Sequence, residues 1–454
     1  MAVGISGGAV TLNEAKEMYT AGDFAGALPG FEEALQAKPK DPSLNQWVGV
    51  CLMRTGRQKE AIPYLEFADS KGITEAPRYL AEIEFYNYHF DKASNYIASY
   101  EKALKKAKKS KPEEVEQLEE QIERGKTMLD RVEKIVVIDS VAVSREDFFK
   151  AYKLSPEVGS IQSVDVLPAK FSVADHTTVY MPETRSSMMW AAPDSMLNYV
   201  LVSSTQLYDN SWEKPTPLQG ELEMGGDSNY PFMMPDGITL YYANNGEESL
   251  GGYDIFITRK DENGFLQPQN IGMPYNSPYD DYLLAIDEIT GVGWWATDRN
   301  HLGDYITIYK FIPSDLRINY PVTLPDLAER ARLSSYKATW EEGQDYTTLL
   351  NSIKNIDTES KAKSVDFRFA MPGNKVYTSW SDFKNPRARK LMSTYIDSCT
   401  QLESSEATLA SMRLKYRNGD TSLKSSILQL EKKVENDRDN LKKIANEAIS
   451  LEQQ

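Results

Sequence analysis

The side chains able to perform chemistry are few and scattered along this sequence. His89, His176 and His301 each stand alone, with no HExxH helix or Cys/His cluster, so a zinc centre has no ligand set here. A GxSxG elbow, the strained turn of one class of serine hydrolases, is missing, as is a glycine-rich phosphate loop. Asp280 and Asp281 are paired carboxylates, but neighbours on a strand point to opposite faces. Asp254 and Asp304 take similar places in two related segments. They read either as ligands of an ion or substrate or, the commoner use, as acceptors for turn amides. Trp190, Trp294 and Trp295 read either as platforms for a sugar ring or as core. The pattern names no catalytic, cofactor-binding or metal residue, and the reading is non-enzymatic.

The elements that would position any site follow from composition and period. With 454 residues the chain should hold two or three domains, and 41% hydrophobic with 26% charged residues is ordinary for a folded protein. A formal charge of −16 repels a phosphate backbone, so nucleic acid is not an expected partner. No run of 18 apolar residues exists to span a membrane as a helix. Residues 1–10, MAVGISGGAV, suit either the tail of a secretory signal peptide or a flexible terminus. Cys51 and Cys399, 348 positions apart, read as two separate buried thiols.

From residue 11 the period is helical, and it repeats. Gly22, Phe24, Ala27, Phe31, Ala34 and Pro39 recur 34 residues on as Gly56, Gln58, Ala61, Leu65, Ala68 and Ile73. The glycines allow a turn between helices and the alanines a close approach. This spacing resembles the second half of a tetratricopeptide repeat. A looser third copy runs from about Ala76 to Lys106, where Ala93 lies 32 residues beyond Ala61, so a shortened inter-helix turn is expected. The resemblance makes 11–111 an α-solenoid. It implies a protein-binding groove lined by Gln46, Trp47, Val50, Met53, Arg54, Arg78, Tyr79, Glu82 and Tyr86. The Lys and Asn set that clamps a C-terminal carboxylate in some members is lacking. Trp47, Tyr79 and Tyr86 also suit packing between helices. Six lysines between Lys102 and Lys111 read as a helix C-terminal cap, and Pro112 as the start of the next helix. Residues 112–133, with Val115, Leu118, Ile122, Met128 and Val132 at helical spacing, are expected to cap the solenoid.

At about residue 134 the period changes to that of strands, beginning with KIVVIDSVAV. The stretch from Gly226 to Ile257, GDSNYPFMMPDGITLYYANNGEESLGGYDIFI, recurs in part 53 residues later. Tyr241 and Asn245 align with Trp294 and Asp298, and Trp212, Pro215 and Leu218 align forward with Phe265, Pro268 and Ile271. Asp236 and Gly237 suit a tight hairpin turn. Tyr253, Ile255 and Ile257 alternate with Asp254 and Phe256, so one face should pack on a neighbouring sheet. The YANN and GGYDIF segments resemble TolB-type, WD-repeat-like propeller repeats of bacterial envelope proteins, well over 226–274, fairly over 276–313 and weakly over 179–218. The resemblance implies a β-propeller over 134–384, of about five blades at roughly 50 residues each, with a helical insertion at about 322–363. A ring must hide its edges, so the strand region Asp366–Trp380 is expected to join the blade begun by KIVVID.

Residues 385–454 read as an antiparallel coiled-coil hairpin. Its turn is Asn418-Gly419, with Asp420 or Thr421 as the next cap. Leu423, Ile427, Leu430, Val434, Leu441, Ile444, Ala448 and Leu451 form a seam, with Asp437 at a skipped position, and the turn favours packing of that seam on the sister helix. The expected fold is therefore multidomain α and β. It has an N-terminal tetratricopeptide solenoid, a central propeller and a C-terminal helical hairpin. Together the resemblances imply a non-catalytic scaffold exported to the periplasm or outer-membrane side of a Gram-negative envelope. Such a scaffold binds protein partners without a cofactor, as an accessory of an outer-membrane assembly or secretion machine. The alternative is a propeller that binds or processes a small ligand or glycan at its central channel.

Overall fold

The computed structural model describes residues 10–207, 211–314, 316–354, 369–371, 375–377, 379–417 and 421–453. The expected leader up to Ala9 and the turn Asn418-Gly419-Asp420 lie outside them. Two compact units result. One contains the N-terminal helices with most of the strands, and the other the C-terminal helices with Met181–Met188 and Ser203–Thr216.

Seven helices open the first unit, each packed on the next: α1 (Leu12–Thr20), α2 (Phe24–Ala37), α3 (Pro42–Arg54), α4 (Gln58–Ser70), α5 (Ala76–Tyr86), α6 (Phe90–Ala107) and α7 (Glu113–Leu129). Their starts are written locally. Thr11 and Glu14 form a reciprocal capping box on α1, and Asp23 and Asp41 cap α2 and α3 through side-chain oxygens. Gly22 and Gly56 turn the chain at φ +83° and +80°, and Ala27, Ala61 and Ala93 are fully buried where the helices meet. In the third copy Tyr88 takes the glycine place at φ 61°. The turn there is not shortened as expected. The missing residues come out of the helix itself, since α5 has 11 residues and α3 has 13.

Helix α7 departs from the expected solvated cap. Its Val115 and Ile122 share a core with α5 and α6 and also with Leu250 and Met273 from the strand region. The Arg124 Nη1 donates to the Ser249 carbonyl at 2.8 Å. Helices and strands thus bury a shared surface, which is why they form one compact unit.

Strand β1 (Val136–Ser144) opens the β region. The strands β2 (Ser160–Gln162), β3 (Val179–Met181), β4 (Ser187–Pro193), β5 (Tyr199–Thr205) and β6 (Thr216–Pro217) pair in that order. Next, β7 (Ser228–Met233), β8 (Thr239–Asn244) and β9 (Asp254–Asp261) lie side by side, and β9 carries both β10 (Gly264–Phe265) and β11 (Gln269–Asn270). The third sheet joins β12 (Asp281–Asp287), β13 (Val292–Leu302) and β14 (Tyr305–Ile312), and its fourth strand is β1.

The 53-residue period is geometric as well as textual. Phe232 faces Tyr241 and Ala285 faces Trp294; Tyr242 faces Phe256 and Trp295 faces Tyr309. The aligned pair Asn245 and Asp298 does one job twice. Their Oδ1 atoms accept from the Asp227 amide (2.6 Å) and the Asp280 amide (3.0 Å). Those two aspartates in turn accept from Tyr199 and Tyr253 amides of the preceding sheet, each at 2.8 Å, and stitch sheet to sheet. Asp236 accepts from the Ile238 and Thr239 amides while Gly237 sits at φ 68°, the tight turn expected there.

Three expectations are corrected. First, β1 pairs along its length with β14, from Val136 opposite Ile312 to Ser144 opposite Tyr305, and among the described residues Phe369–Met371 pairs with Lys375–Tyr377 instead. Asp139 also holds Lys310 Nζ at 2.7 Å across that pairing. Second, three sheets of four or five strands stand among the described residues of this region where about five were expected. Third, β9 is covered on both faces, Ile255 in one cluster with Trp295 of the third sheet and Phe256 in another with Ala191 and Leu201 of the first, because sheets stack on either side of it. The helical insertion appears as α8 (Leu327–Arg332) and α9 (Thr347–Lys354). Between them Thr339 Oγ1 accepts from the Val137 amide and Trp340 Nε1 donates to its carbonyl, which pins the bulged start of β1.

In the second unit β15 (Phe369–Met371) and β16 (Lys375–Tyr377) pair only with each other, among the described residues. Phe369 and Met371 pack with α10 (Pro386–Arg417) and α11 (Lys424–Glu452). Ile427, Val434, Leu441 and Ala448 meet Ala388, Met392, Tyr395, Leu402 and Leu409, so the seam is used inside the hairpin. Glu452 and the Leu451 carbonyl receive the Lys384 and Asn385 donors and tie the hairpin ends. No helix among the described residues is long and apolar enough to cross a membrane.

Candidate functional site

Helices α1, α3 and α5 present one row of partly exposed rings and charges. The Trp47 indole stacks on Phe31 with centroids 5.2 Å apart, and Lys16 Nζ lies 5.1 Å over the indole. Further along, Arg54 grips Glu82 with both terminal guanidinium nitrogens, at 2.5 and 3.1 Å. The Tyr79 ring is bracketed by the Arg54 and Arg78 guanidinium groups, 5.9 and 5.1 Å from its centroid. Tyr19 stands beside Tyr79, and burial, followed by that neighbour, holds its hydroxyl well above the usual tyrosine range. Held rings and a fixed guanidinium fork are groups that recognise a peptide by stacking and hydrogen bonding.

Of the residues the sequence nominated, the structure brings Arg54, Arg78, Tyr79 and Glu82 into direct contact, with Trp47 and Gln46 half-buried on the same helix as Arg54. Val50 and Met53 are corrected. At 1% and 6% exposure they belong to the core shared with Phe31 and Leu65, because that flank of α3 faces its neighbouring helices. Tyr86 packs 5.0 Å from the Tyr279 ring of the strand region. Lys16 and Tyr19 were missed. The 34-residue offset that places α1 where α3 stands one repeat later was the signal that could have found them.

The sugar platform is also corrected: Trp190, Trp294 and Trp295 have no exposed surface. Each is locked between strands, and Trp190 donates to the Ser172 carbonyl at 3.0 Å. Asp254 and Asp304 do not share a place, since Asp254 faces Asn244 and its repeat equivalent, facing Thr297, is Thr307. Asp304 lies in the exposed turn between β13 and β14. An open hollow of about 740 Å³ runs along α7, and its Glu119 and Glu123 already hold Lys111 and Lys126.

A second polar cluster lies where helices meet strands. Asp280 and Asp281 diverge as neighbours on a strand must: Asp280 serves the Tyr253 amide, while Asp281 is buried against Arg299 at 2.5 Å. Arg299 also donates to the Pro274 and Tyr275 carbonyls and to Thr297 Oγ1, and Ser277 Oγ donates to Asp281. Burial raises the Asp281 carboxyl to about 6 against the attraction of Arg299. Asp254, without a guanidinium, is pushed up to about 8 by burial, while the Leu250 amide and Asn270 pull the other way.

No protein-family model, curated protein or solved structure matches the chain.

Proposed function

We propose that this chain is a non-catalytic scaffold whose α1–α7 layer is a tetratricopeptide-type solenoid that binds an extended segment of a protein partner. Its sheets are a TolB-type propeller domain in this reading, and its place is the Gram-negative cell envelope, as an accessory of an outer-membrane assembly or secretion machine. The observation that carries the reading is the row of Trp47, Tyr79, Arg54 and Arg78 on α3 and α5, half-exposed and held in place by Phe31 under the indole, Glu82 on Arg54 and the two guanidinium groups over Tyr79. Aromatic rings and arginines held this way are the residues that dominate protein interfaces. The 34-residue and 53-residue periods support the two repeat assignments.

The test is crosslinking capture from intact envelopes with the tagged full-length chain, beside a Trp47→Ala, Tyr79→Ala double variant. Removing the helical layer outright is the wrong comparison, because α7 shares its core with Leu250 and Met273. Loss of a stoichiometric partner in the variant supports the reading. Equal capture by both forms, or capture by neither, overturns it.

A further inference from the structure

Two carboxylates are buried at the junction of helices and strands, and one guanidinium serves them. Arg299 belongs to Asp281 by direct contact. Asp254 has 0% exposure, and among the described residues its donors are neutral: Oδ2 accepts from the Leu250 amide at 2.9 Å and Asn270 Nδ2 at 2.6 Å, and the Gly251 amide also favours the carboxylate. Among the described residues its Oδ1 has no partner at hydrogen-bond distance. An ionised carboxylate so placed has no countercharge, and the neutral acid costs far less there.

The loop that Asp254 holds is the one that receives the helices. Leu250 buries its side chain among Phe85, Tyr88 and Phe90. The Ser249 and Gly251 carbonyls accept from Arg124 and Gln121 of α7. Asn270, the second donor to Asp254, also donates to the Glu248 carbonyl and accepts from Asn276, so the same small network supports the loop from below. We infer that Asp254 is a proton-operated latch that holds the Glu248–Gly251 loop, and through it α5 to α7, against the strands.

The charged and titratable groups that face the latch come from several elements. Asp281 on β12 raises the cost of a second negative charge, and Arg299 on β13 is committed to Asp281. Tyr88 enters from the turn before α6, fully buried and with its hydroxyl pushed up by burial, while Arg124 on α7 reaches only the Ser249 carbonyl. Glu248 contributes its carbonyl. None of these is a free cation for Asp254, so ionisation leaves a bare charge in the junction, and its relief is to open the loop to water. Burial raises the Asp254 carboxyl to about 8, so the closed loop keeps its proton through neutrality while an opened loop loses it, and opening grows as pH climbs towards that value.

Hydrogen exchange of the full chain, corrected for intrinsic rates, reads the latch directly. From about pH 6 to about pH 8, opening of peptides covering α7 and 248–254 should rise about tenfold or more and then level off, while α10 and α11 stay unchanged. Asp254→Asn keeps the shape and the neutral charge, and should abolish that rise. A wild type with no pH-dependent opening, or an Asp254→Asn variant that keeps it, overturns the latch. Arg124→Ala is the second reading, needed if Asp254→Asn does not fold: with one tether to the loop gone, opening of the same peptides should be greater at every pH, and opening no greater than in the wild type overturns the proposal.

Discussion

Tyr230 and Leu283 stand 53 residues apart and are held in the same left-handed conformation, at φ 53° and 49°, each at the bulge of the first strand of its hairpin. A non-glycine residue there carries a strain of about 1–2 kcal/mol. At an ordinary position glycine is worse than alanine by about 0.5–1 kcal/mol. At Leu283 the order should invert: Leu283→Gly should melt above Leu283→Ala, although both lose a fully buried side chain. Equal melting, or the ordinary order, would remove the strain argument.

Gly125 reverses a second rule. Alanine in a helix interior normally stabilises by about 1 kcal/mol over glycine. In α7 a Cβ at Gly125 would stand 2.5 Å from the Phe90 ring. Gly125→Ala should therefore destabilise by about 1–3 kcal/mol, read as a lower midpoint in urea. Pairing it with Phe90→Leu should recover part of the loss.

The Asp281–Arg299 pair is buried on both sides. Removing either member alone leaves the other without its countercharge, and Arg299→Met or Asp281→Leu should each cost about 3–5 kcal/mol. The double substitution should cost much less than the sum, by chemical denaturation of all four proteins. Simple additivity would mean that the pair is not what the junction depends on.

In contrast, Arg54 and Glu82 are partly open to solvent. Arg54→Ala should lower stability by only about 0–1 kcal/mol, with the thermal midpoint nearly unchanged. It is therefore a clean probe of recognition, and partner capture should fall while folding does not.

Global stability should fall as pH rises from about 4 towards 8. The folded Asp254 carboxyl, at about 8, stands above its ordinary value of 3.8, so across that window the folded chain holds a proton that the unfolded chain has lost. The contribution is complete below the ordinary carboxylate value, drains as pH climbs and is gone above the folded value. Asp254→Asn should flatten this slope in denaturation measured at several pH values. A wild-type slope of the opposite sign would contradict the assignment.

Much of the architecture is local and so was legible in the sequence. Gly22 and Gly56 must turn because only glycine enters φ near +80° freely, and Asp236-Gly237 must turn for the same reason with an acceptor supplied. The 34-residue and 53-residue offsets repeat because each unit meets a similar neighbour, and the seam from Leu423 to Leu451 follows from helical period alone. None of these needs a distant partner.

What the tertiary structure alone decided are the meetings between distant segments. Which edge β1 covers depends on which strand is left unpaired some 170 residues later, and that strand is β14. Whether Val50 and Met53 face solvent depends on which flank of α3 its neighbours occupy, and helical period marks the apolar stripe without marking its width. Whether Asp254 is a ligand, a cap or a latch depends on the helices that close over it and on which carboxylate holds the single arginine. Periodicity and turn chemistry act over a few residues, whereas desolvation and charge pairing are set by whatever the completed fold places within a few ångströms.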